Sequence, residues 1–229
     1  WRAAERVAAT VERLQQHGVN RFYTCFDPNP KERDRVQALF EVLGGLSTKP
    51  VLHFETFGLP DAVTTEVFAT HFDDRSRLIV SPESHDEGMR RRHRAFPFSN
   101  AQLHERLAQM QALGVGSLLY FILGLPGETL DSARAMHGFQ HELRDRYAGI
   151  EHCFTWPLEV EPGSPWFTHP ERYGITLRHR TLADFHQAHA TGRFSLGYDG
   201  QALSETDVLN LWWSHFSGVE PAQAKSMSD

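Results

Sequence analysis

The chain has 229 residues, of which 40% are hydrophobic and 23% charged, and its net charge is −6. This composition is that of a globular protein with one sizeable core, and it excludes disordered and collagen-like chains. The longest apolar run, residues 118–123, is far shorter than the roughly 20 residues that span a bilayer. No signal-peptide pattern opens the sequence, so we expect a cytoplasmic protein without membrane contact. Basic residues form no broad patch, so no nucleic-acid partner is expected.

Short β-branched or aromatic segments alternate with segments of helical period, which is typical of βα units around a parallel sheet. We count six units, the first without its strand, and predict an α/β fold: a partial TIM-like (β/α)6 barrel with a C-terminal tail. Strands are predicted at residues 21–26, 51–54, 77–80, 117–123 and 153–158. A polar loop is expected after residue 84.

The predicted helices are marked by apolar residues on one face and by capping residues at their starts. The apolar residues are Val7, Val11 and Leu14, then Val36, Leu39, Phe40 and Leu43, then Val63, Val67 and Phe68, then Leu103, Leu107 and Met110, then Met136, Leu143 and Tyr147. The caps are Asp61, Ser99 with Gln102, Thr129, and Thr181 with Asp184.

The barrel is predicted to occupy residues 1–191, and a looser C-terminal extension residues 192–229. Trp212 and Trp213 in that extension are expected to pack against the barrel or a partner domain.

Only two cysteines occur, Cys25 and Cys153, which excludes a disulfide framework and a cysteine-rich metal site within these residues. A lone cysteine such as Cys25 is most often a small core residue, and we assign it no role. Two histidine pairs have helical spacing, residues 137 with 141 and 186 with 189. Neither pair has a third ligand nearby in the sequence, so a zinc site is not predicted.

Polar residues follow the predicted strands, where a parallel α/β fold binds its ligands. They are Asp27, Glu55 and Thr56, Glu83 and Ser84, Gly124 with Glu128, and residues 156–163. Glu128 is expected to accept hydrogen bonds from backbone amides of its own loop. Each residue taken singly is better explained as a helix cap or a loop carboxylate that faces water, but this explanation is weaker for five such positions on one rim.

Residues 124–129, Gly-Leu-Pro-Gly-Glu-Thr, predict a tight turn with exposed main chain directly after a buried strand. This motif resembles the fifth-strand motif of radical S-adenosylmethionine (SAM) enzymes, especially those that carry a cobalamin-binding domain. Residues 81–84, Ser-Pro-Glu-Ser, resemble the fourth-strand motif of that family, and residues 161–165, Glu-Pro-Gly-Ser-Pro, resemble the loop after its sixth strand. The resemblance covers about residues 3–185.

The resemblance implies that SAM binds at the top of the partial barrel. It implies a [4Fe-4S] cluster, held by a CxxxCxxC loop after the first strand, that cleaves SAM reductively to a 5′-deoxyadenosyl radical. It further implies cobalamin dependence, with methyl transfer or related radical chemistry on a small-molecule or peptide substrate. These residues contain no CxxxCxxC loop. Because the first strand is also missing, we expect that loop to precede Trp1. The resemblance further implies a cobalamin-binding domain in the same protein.

The resemblance also assigns SAM-binding roles, although no catalytic residue. Glu83 and Ser84 would contact the ribose or the methionyl amine, and Arg94 the methionyl carboxylate. Leu123 and Gly124 would pack on the adenine, and main chain near Trp156 would read the adenine edge.

Two other functions fit parts of the sequence. A barrel hydrolase would use Glu55 and Glu83 as paired carboxylates, which requires them within roughly 5–10 Å of each other. A barrel that has lost its cluster would serve as a non-catalytic binding module.

Overall fold

The computed structural model describes residues 2–24, 32–56, 58–191 and 195–216. Five parallel strands lie in one sheet in chain order, β1-β2-β3-β4-β5. Their bounds are Arg21–Thr24, Val51–Thr56, Arg77–Glu83, Gly116–Leu123 and Ile150–Pro157. Helices alternate with these strands, so the predicted fold class, that of a partial TIM-like barrel beginning on a helix, is confirmed.

The helices and the remaining strands have the following bounds. Helices α1 to α9 span Ala4–Gln15, Arg33–Gly44, Ala62–His71, Glu87–His93, Asn100–Ala112, Leu130–Arg146, Pro165–Thr168, Leu182–Ala190 and Glu205–Leu211. Strands β6, Ile175–Leu177, and β7, Tyr198–Gly200, form a separate antiparallel pair. A π-helical turn, Trp212–Phe216, follows α9. No helix in the described ranges is long and apolar enough to cross a membrane.

The predicted helix starts are confirmed by hydrogen bonds from backbone amides to side-chain oxygens. The Thr64 amide donates to Asp61 Oδ1 at 2.8 Å, at the start of α3. Ser99 with Gln102, and Thr181 with Asp184, form capping boxes at the starts of α5 and α8. These side chains satisfy amides that have no partner within the helix.

Two residues predicted to face the core are exposed instead. Leu14 is 36% exposed, because α1 turns Ala8 and Val11 inward. Val63 is 45% exposed, because the buried face of α3 carries threonines at 64 and 65 ahead of Phe68. A threonine hydroxyl can bond to the helix backbone, so a helix face containing it tolerates burial.

The strands extend further than predicted, which changes the position of several polar residues. Glu55 and Thr56 are the last residues of β2, and Glu83 is the last residue of β3, although all three were expected just beyond a strand. The predicted polar loop after residue 84 is wrong in part, since it contains α4. The extension after residue 192 is more ordered than predicted, since β7 and α9 lie in it. Cys25 and Asp27 lie outside the described residues.

The chain divides into two compact units. The first consists of Trp1–Pro82, Arg94–Tyr120 and Glu142–Cys153, and the second of Glu83–His93, Phe121–His141 and Phe154–Asp229. In the first unit Phe40 packs edge-on against Phe54, Phe68 and Phe72, with ring centroids 4.8, 5.3 and 5.6 Å apart. In the second unit Phe121, Met136, Tyr198 and Val208 are buried.

Candidate functional site

Five of the six predicted SAM-binding residues fall in the second unit. They are Glu83, Ser84, Leu123, Gly124 and Trp156, at or next to the carboxyl ends of β3, β4 and β5. This end of a parallel sheet is the usual ligand side. Arg94 falls in the first unit.

The turn after β4 depends on glycine at two positions. Gly124 has φ +89° and Gly127 has φ +85°, in the left-handed region that favours glycine. The Glu128 amide donates to the Leu125 carbonyl at 2.8 Å and closes the turn. The Ser132 amide then donates to Thr129 Oγ1 at 3.2 Å, which confirms Thr129 as the cap of α6.

Both peptide groups of Gly124 are held by side chains. Its N–H donates to Glu128 Oε2 at 2.6 Å, as predicted from the sequence. Its carbonyl accepts from the Tyr198 hydroxyl at 2.8 Å. A Cβ at residue 124 would lie 2.6 Å from that hydroxyl and 3.1 Å from a methyl of Val208, so the position has no room for a side chain. The turn is therefore fixed in one conformation.

Glu128 is a buried carboxyl group, 2% exposed. Burial raises its pKa to about 7, although the backbone N–H groups of Gly124 and Leu125 oppose that rise and nearby Asp86 adds to it. Its second oxygen, Oε1, has no hydrogen-bond partner among the described residues. Near neutral pH this carboxyl group therefore takes up or releases a proton inside the turn.

The end of β3 has an unusual backbone conformation. Glu83, at φ 62°, is the one non-glycine residue with positive φ in the described ranges. Such strain is uncommon and concentrates at ligand sites. Ser84 is fully buried, and its Oγ accepts from the Asp86 amide at 3.1 Å. Asp86 in turn accepts from the amides of Gly88 and Met89 and so starts α4.

Helix α4 brings His93 to the turn after β4. The His93 Nε2 lies 2.9 Å from the Pro126 carbonyl oxygen, which requires the tautomer protonated at Nε2. Burial lowers the pKa of His93, so its neutral form is favoured near neutral pH. His93 and Tyr198 were not predicted as site residues. They carry no local motif, and their roles depend on contacts with residues far away in the chain.

Trp156 presents a large aromatic surface at the end of β5, with 54% of the residue exposed. Its ring lies 6.1 Å from that of Trp212, whose Nε1 donates to the Thr155 carbonyl at 2.7 Å. The Leu158 amide donates to the Leu123 carbonyl at 2.7 Å. The chain after β5 thus stays beside the end of β4.

In the first unit, Arg94 and Glu55 both contact Ser81. The Arg94 guanidinium donates to the Ser81 main-chain oxygen and lies 5.7 Å above the Phe98 ring. Glu55 accepts from the Ser81 hydroxyl at 3.3 Å and from the Tyr23 hydroxyl at 2.5 Å. Because Glu55 and Glu83 fall in different units, the paired-carboxylate geometry of a hydrolase stays a prediction.

The chain's own cysteines do not fit an iron–sulfur cluster. A cluster of this type needs several thiolates, and the chain has two cysteines distant in sequence. Cys153 is half-buried, and burial raises the pKa of its thiol to about 12, so the thiol stays protonated. Within the described ranges no three His, Cys, Asp or Glu side chains are placed to hold a metal ion. His137 and His141 do meet, with Nε2 atoms 3.1 Å apart.

Comparisons with known proteins extend the description of the fold. No family model and no curated protein matches the chain. The structure of TsrM from Kitasatospora setae, a radical SAM methyltransferase with cobalamin and a [4Fe-4S] cluster bound, is similar over 77% of this chain and 36% of its own, with 13% identity and a TM-score of 0.58. TsrM with tryptophan substrate and a SAM analog is similar over 67% of this chain and 30% of its own, with 13% identity and a TM-score of 0.51.

Elp3 from Methanocaldococcus infernus, with an N-terminal deletion, is similar over 74% of this chain and 45% of its own, with 11% identity and a TM-score of 0.52. The chain therefore spans less than half the length of these matched proteins. Similarity at such low identity shows the fold alone. The chain has a radical SAM-type fold.

Proposed function

We propose that the carboxyl ends of β3, β4 and β5 bind SAM and that the chain is the SAM-binding barrel of a radical SAM enzyme. The observation that carries the proposal is the turn at Gly124, whose peptide groups are fixed by Glu128 and Tyr198 directly after a buried strand. A turn held in this way can present main chain to a planar ligand at a reduced cost in ordering. The radical SAM-type fold supports it independently.

In this proposal each part of the ligand meets a residue of suitable chemistry. Leu123 and Gly124 pack against the adenine, and main chain near Trp156 bonds to its polar edge. Glu83 and Ser84 bind the ribose hydroxyls or the methionyl amine, since carboxylate and hydroxyl oxygens accept from both groups. Arg94 binds the methionyl carboxylate.

When a reduced [4Fe-4S] cluster is present, it supplies the electron that cleaves SAM to a 5′-deoxyadenosyl radical. The cysteines of this chain do not fit that cluster, so the proposal assigns its ligands to a segment outside these residues. Cobalamin as a further cofactor, and methyl transfer to a small-molecule or peptide substrate, belong to the same proposal. The residues described above bind and orient SAM and take no part in electron transfer.

Calorimetric titration of SAM into the protein tests the binding site. Glu83→Gln and Arg94→Gln should each weaken SAM binding by about tenfold, the loss expected for one charge-assisted hydrogen bond. The matched controls Glu159→Gln and Arg91→Gln change exposed charges of the same signs and should leave the affinity unaltered. Equal affinity in all four variants, or no SAM binding by the unsubstituted protein, would refute the assignment.

A SAM-binding module without catalysis is the second candidate, because the two cysteines cannot hold a cluster. Iron and sulfide analysis of the anaerobically reconstituted full-length protein separates the two candidates. Stoichiometric iron and sulfide supports the enzyme. SAM binding without either element supports the module.

A further inference from the structure

We propose that Glu55, together with Tyr23, binds a primary ammonium group of the substrate. As a statement about substrate class this rests on the proposed function, whereas the binding of an ammonium group can be measured independently of it. All the residues concerned lie in the first unit.

Three neighbouring strands converge on the Glu55 carboxylate. Tyr23, on β1, donates its hydroxyl to Oε2 at 2.5 Å. Ser81, on β3, donates its hydroxyl to Oε1 at 3.3 Å. Both contacts lie near the carboxyl ends of parallel strands, on the side where α/β proteins bind their ligands. The carboxylate is therefore held in one place by two donors.

The sheet face that carries Glu55 is the one away from helix α2. The preceding residue, Phe54, packs against Phe40 of α2 with ring centroids 4.8 Å apart. Successive side chains of a strand point to opposite faces. Glu55 therefore points away from the helical layer, and it is half-buried.

No cation of the described residues forms an ion pair with Glu55. Its hydrogen-bond donors are hydroxyl groups, which carry no charge. The Arg94 guanidinium donates to the main-chain oxygen of Ser81 and lies above the Phe98 ring. A carboxylate has about four acceptor positions, of which these hydroxyls occupy two. Acceptor capacity for a cationic donor is thus left on both oxygens.

Aromatic surface adjoins this carboxylate. Tyr23 is 48% exposed, and its pKa is raised by burial first and then by Glu55 and Tyr120, so that the phenol stays a donor. An aromatic face attracts alkylammonium ions, and a carboxylate accepts their N–H bonds. A primary ammonium group on a short alkyl chain satisfies both features, whereas a neutral ligand lacks the charge and an anionic ligand is repelled by the carboxylate.

The test compares phenethylammonium chloride with 2-phenylethanol, which has the same ring and chain but no charge. Binding of each probe is measured by ligand-observed NMR titration. The unsubstituted protein should bind the ammonium probe about tenfold more tightly than the alcohol. Glu55→Gln should remove this preference, and Glu105→Gln, which removes an exposed carboxylate of α5, should retain it. High salt should reduce the preference.

Three results would overturn the proposal: equal affinity for the two probes, no binding of the ammonium probe, or an unchanged preference in Glu55→Gln. A urea titration of that variant confirms that it is folded. Because Glu55 is not among the proposed SAM contacts, SAM titration of Glu55→Gln should give unaltered affinity. In the unsubstituted protein, SAM binding without an ammonium preference would refute this site alone, and an ammonium preference without SAM binding would refute the proposed function alone.

Discussion

Glu128→Gln should change the pH dependence of folding stability, because the pKa of Glu128 is raised from 4.5 to about 7 by burial. The native protein then binds more protons than the unfolded chain between these two pH values. The contribution of Glu128 to stability therefore falls as the pH rises through that window, and this contribution is level below and above it. A pKa change of this size corresponds to a change of about 3 kcal/mol in the unfolding free energy, which is the most that this one group can contribute.

Glutamine keeps an oxygen for the Gly124 amide and removes the titration. The difference in unfolding free energy between the variant and the unsubstituted protein should thus shift by about 3 kcal/mol in favour of the variant between about pH 4.5 and pH 7.5. Urea titrations at several pH values give this difference, and titrations common to both proteins cancel in it. Glu105→Gln, at an exposed position, should show no such shift. A pH-independent difference for Glu128→Gln would refute the reasoning.

Three further substitutions and a truncation follow from the same contacts. Gly124→Ala should destabilise the protein by about 2 kcal/mol or more in urea titration, because residue 124 has a positive φ and a Cβ there would meet the Tyr198 hydroxyl. Gly138→Ala, whose Cβ would lie in open space, should not destabilise the protein. Tyr198→Phe should cost about 1 kcal/mol, since it leaves the buried Gly124 carbonyl without its donor. Asp61→Ala should cost about 1 kcal/mol through loss of the α3 cap, and Asp61→Asn should restore most of it. A chain ending at residue 191 should unfold at much lower urea concentration, because β6 loses its partner β7. An unchanged unfolding midpoint in Gly124→Ala, Tyr198→Phe, Asp61→Ala or the truncated chain would contradict the corresponding prediction.

Features that depend on neighbouring residues were predictable from the sequence. The capping boxes at Ser99 and Thr181 involve residues three apart, and both are present. The hydrogen bond from the Gly124 amide to Glu128 spans four residues and was also expected. The order of the strands followed from the alternation of apolar segments, because each βα unit places its strand beside the previous one.

Helix α4 could not be recognised in this way. Its seven residues, Glu87–His93, include four successive basic ones and show no apolar period, and its buried residues are Met89 and Arg90. Arg90 is 1% exposed and donates to the His85 carbonyl, a contact available only once the chain is folded. A sequence pattern that assumes charged residues face solvent assigns such a segment to a loop.

The contribution of the C-terminal segment was hidden for a different reason. Tyr198 bonds to Gly124 across 74 residues of sequence, and Trp212 bonds to Thr155 across 57. Neither aromatic residue lies in a motif, and the fading helix and strand pattern assigned both to a tail, although Trp212 was expected to pack against the barrel or a partner domain. Their contacts show that residues 195–216 help to form the ends of β4 and β5.

The approach of Tyr198 and Val208 to Gly124 gives the glycine motif a structural explanation beside the ligand-binding one. Gly124 is required by its positive φ and by the approach of Tyr198 and Val208, and both requirements hold without any ligand. A match to the motif is therefore explained in part by packing. Loss of SAM binding in Gly124→Ala would not by itself identify a ligand contact, because the same substitution disturbs the turn. Glu83 and Arg94 are more informative positions, since the hydrogen bonds that hold Gly124 come from Glu128 and Tyr198.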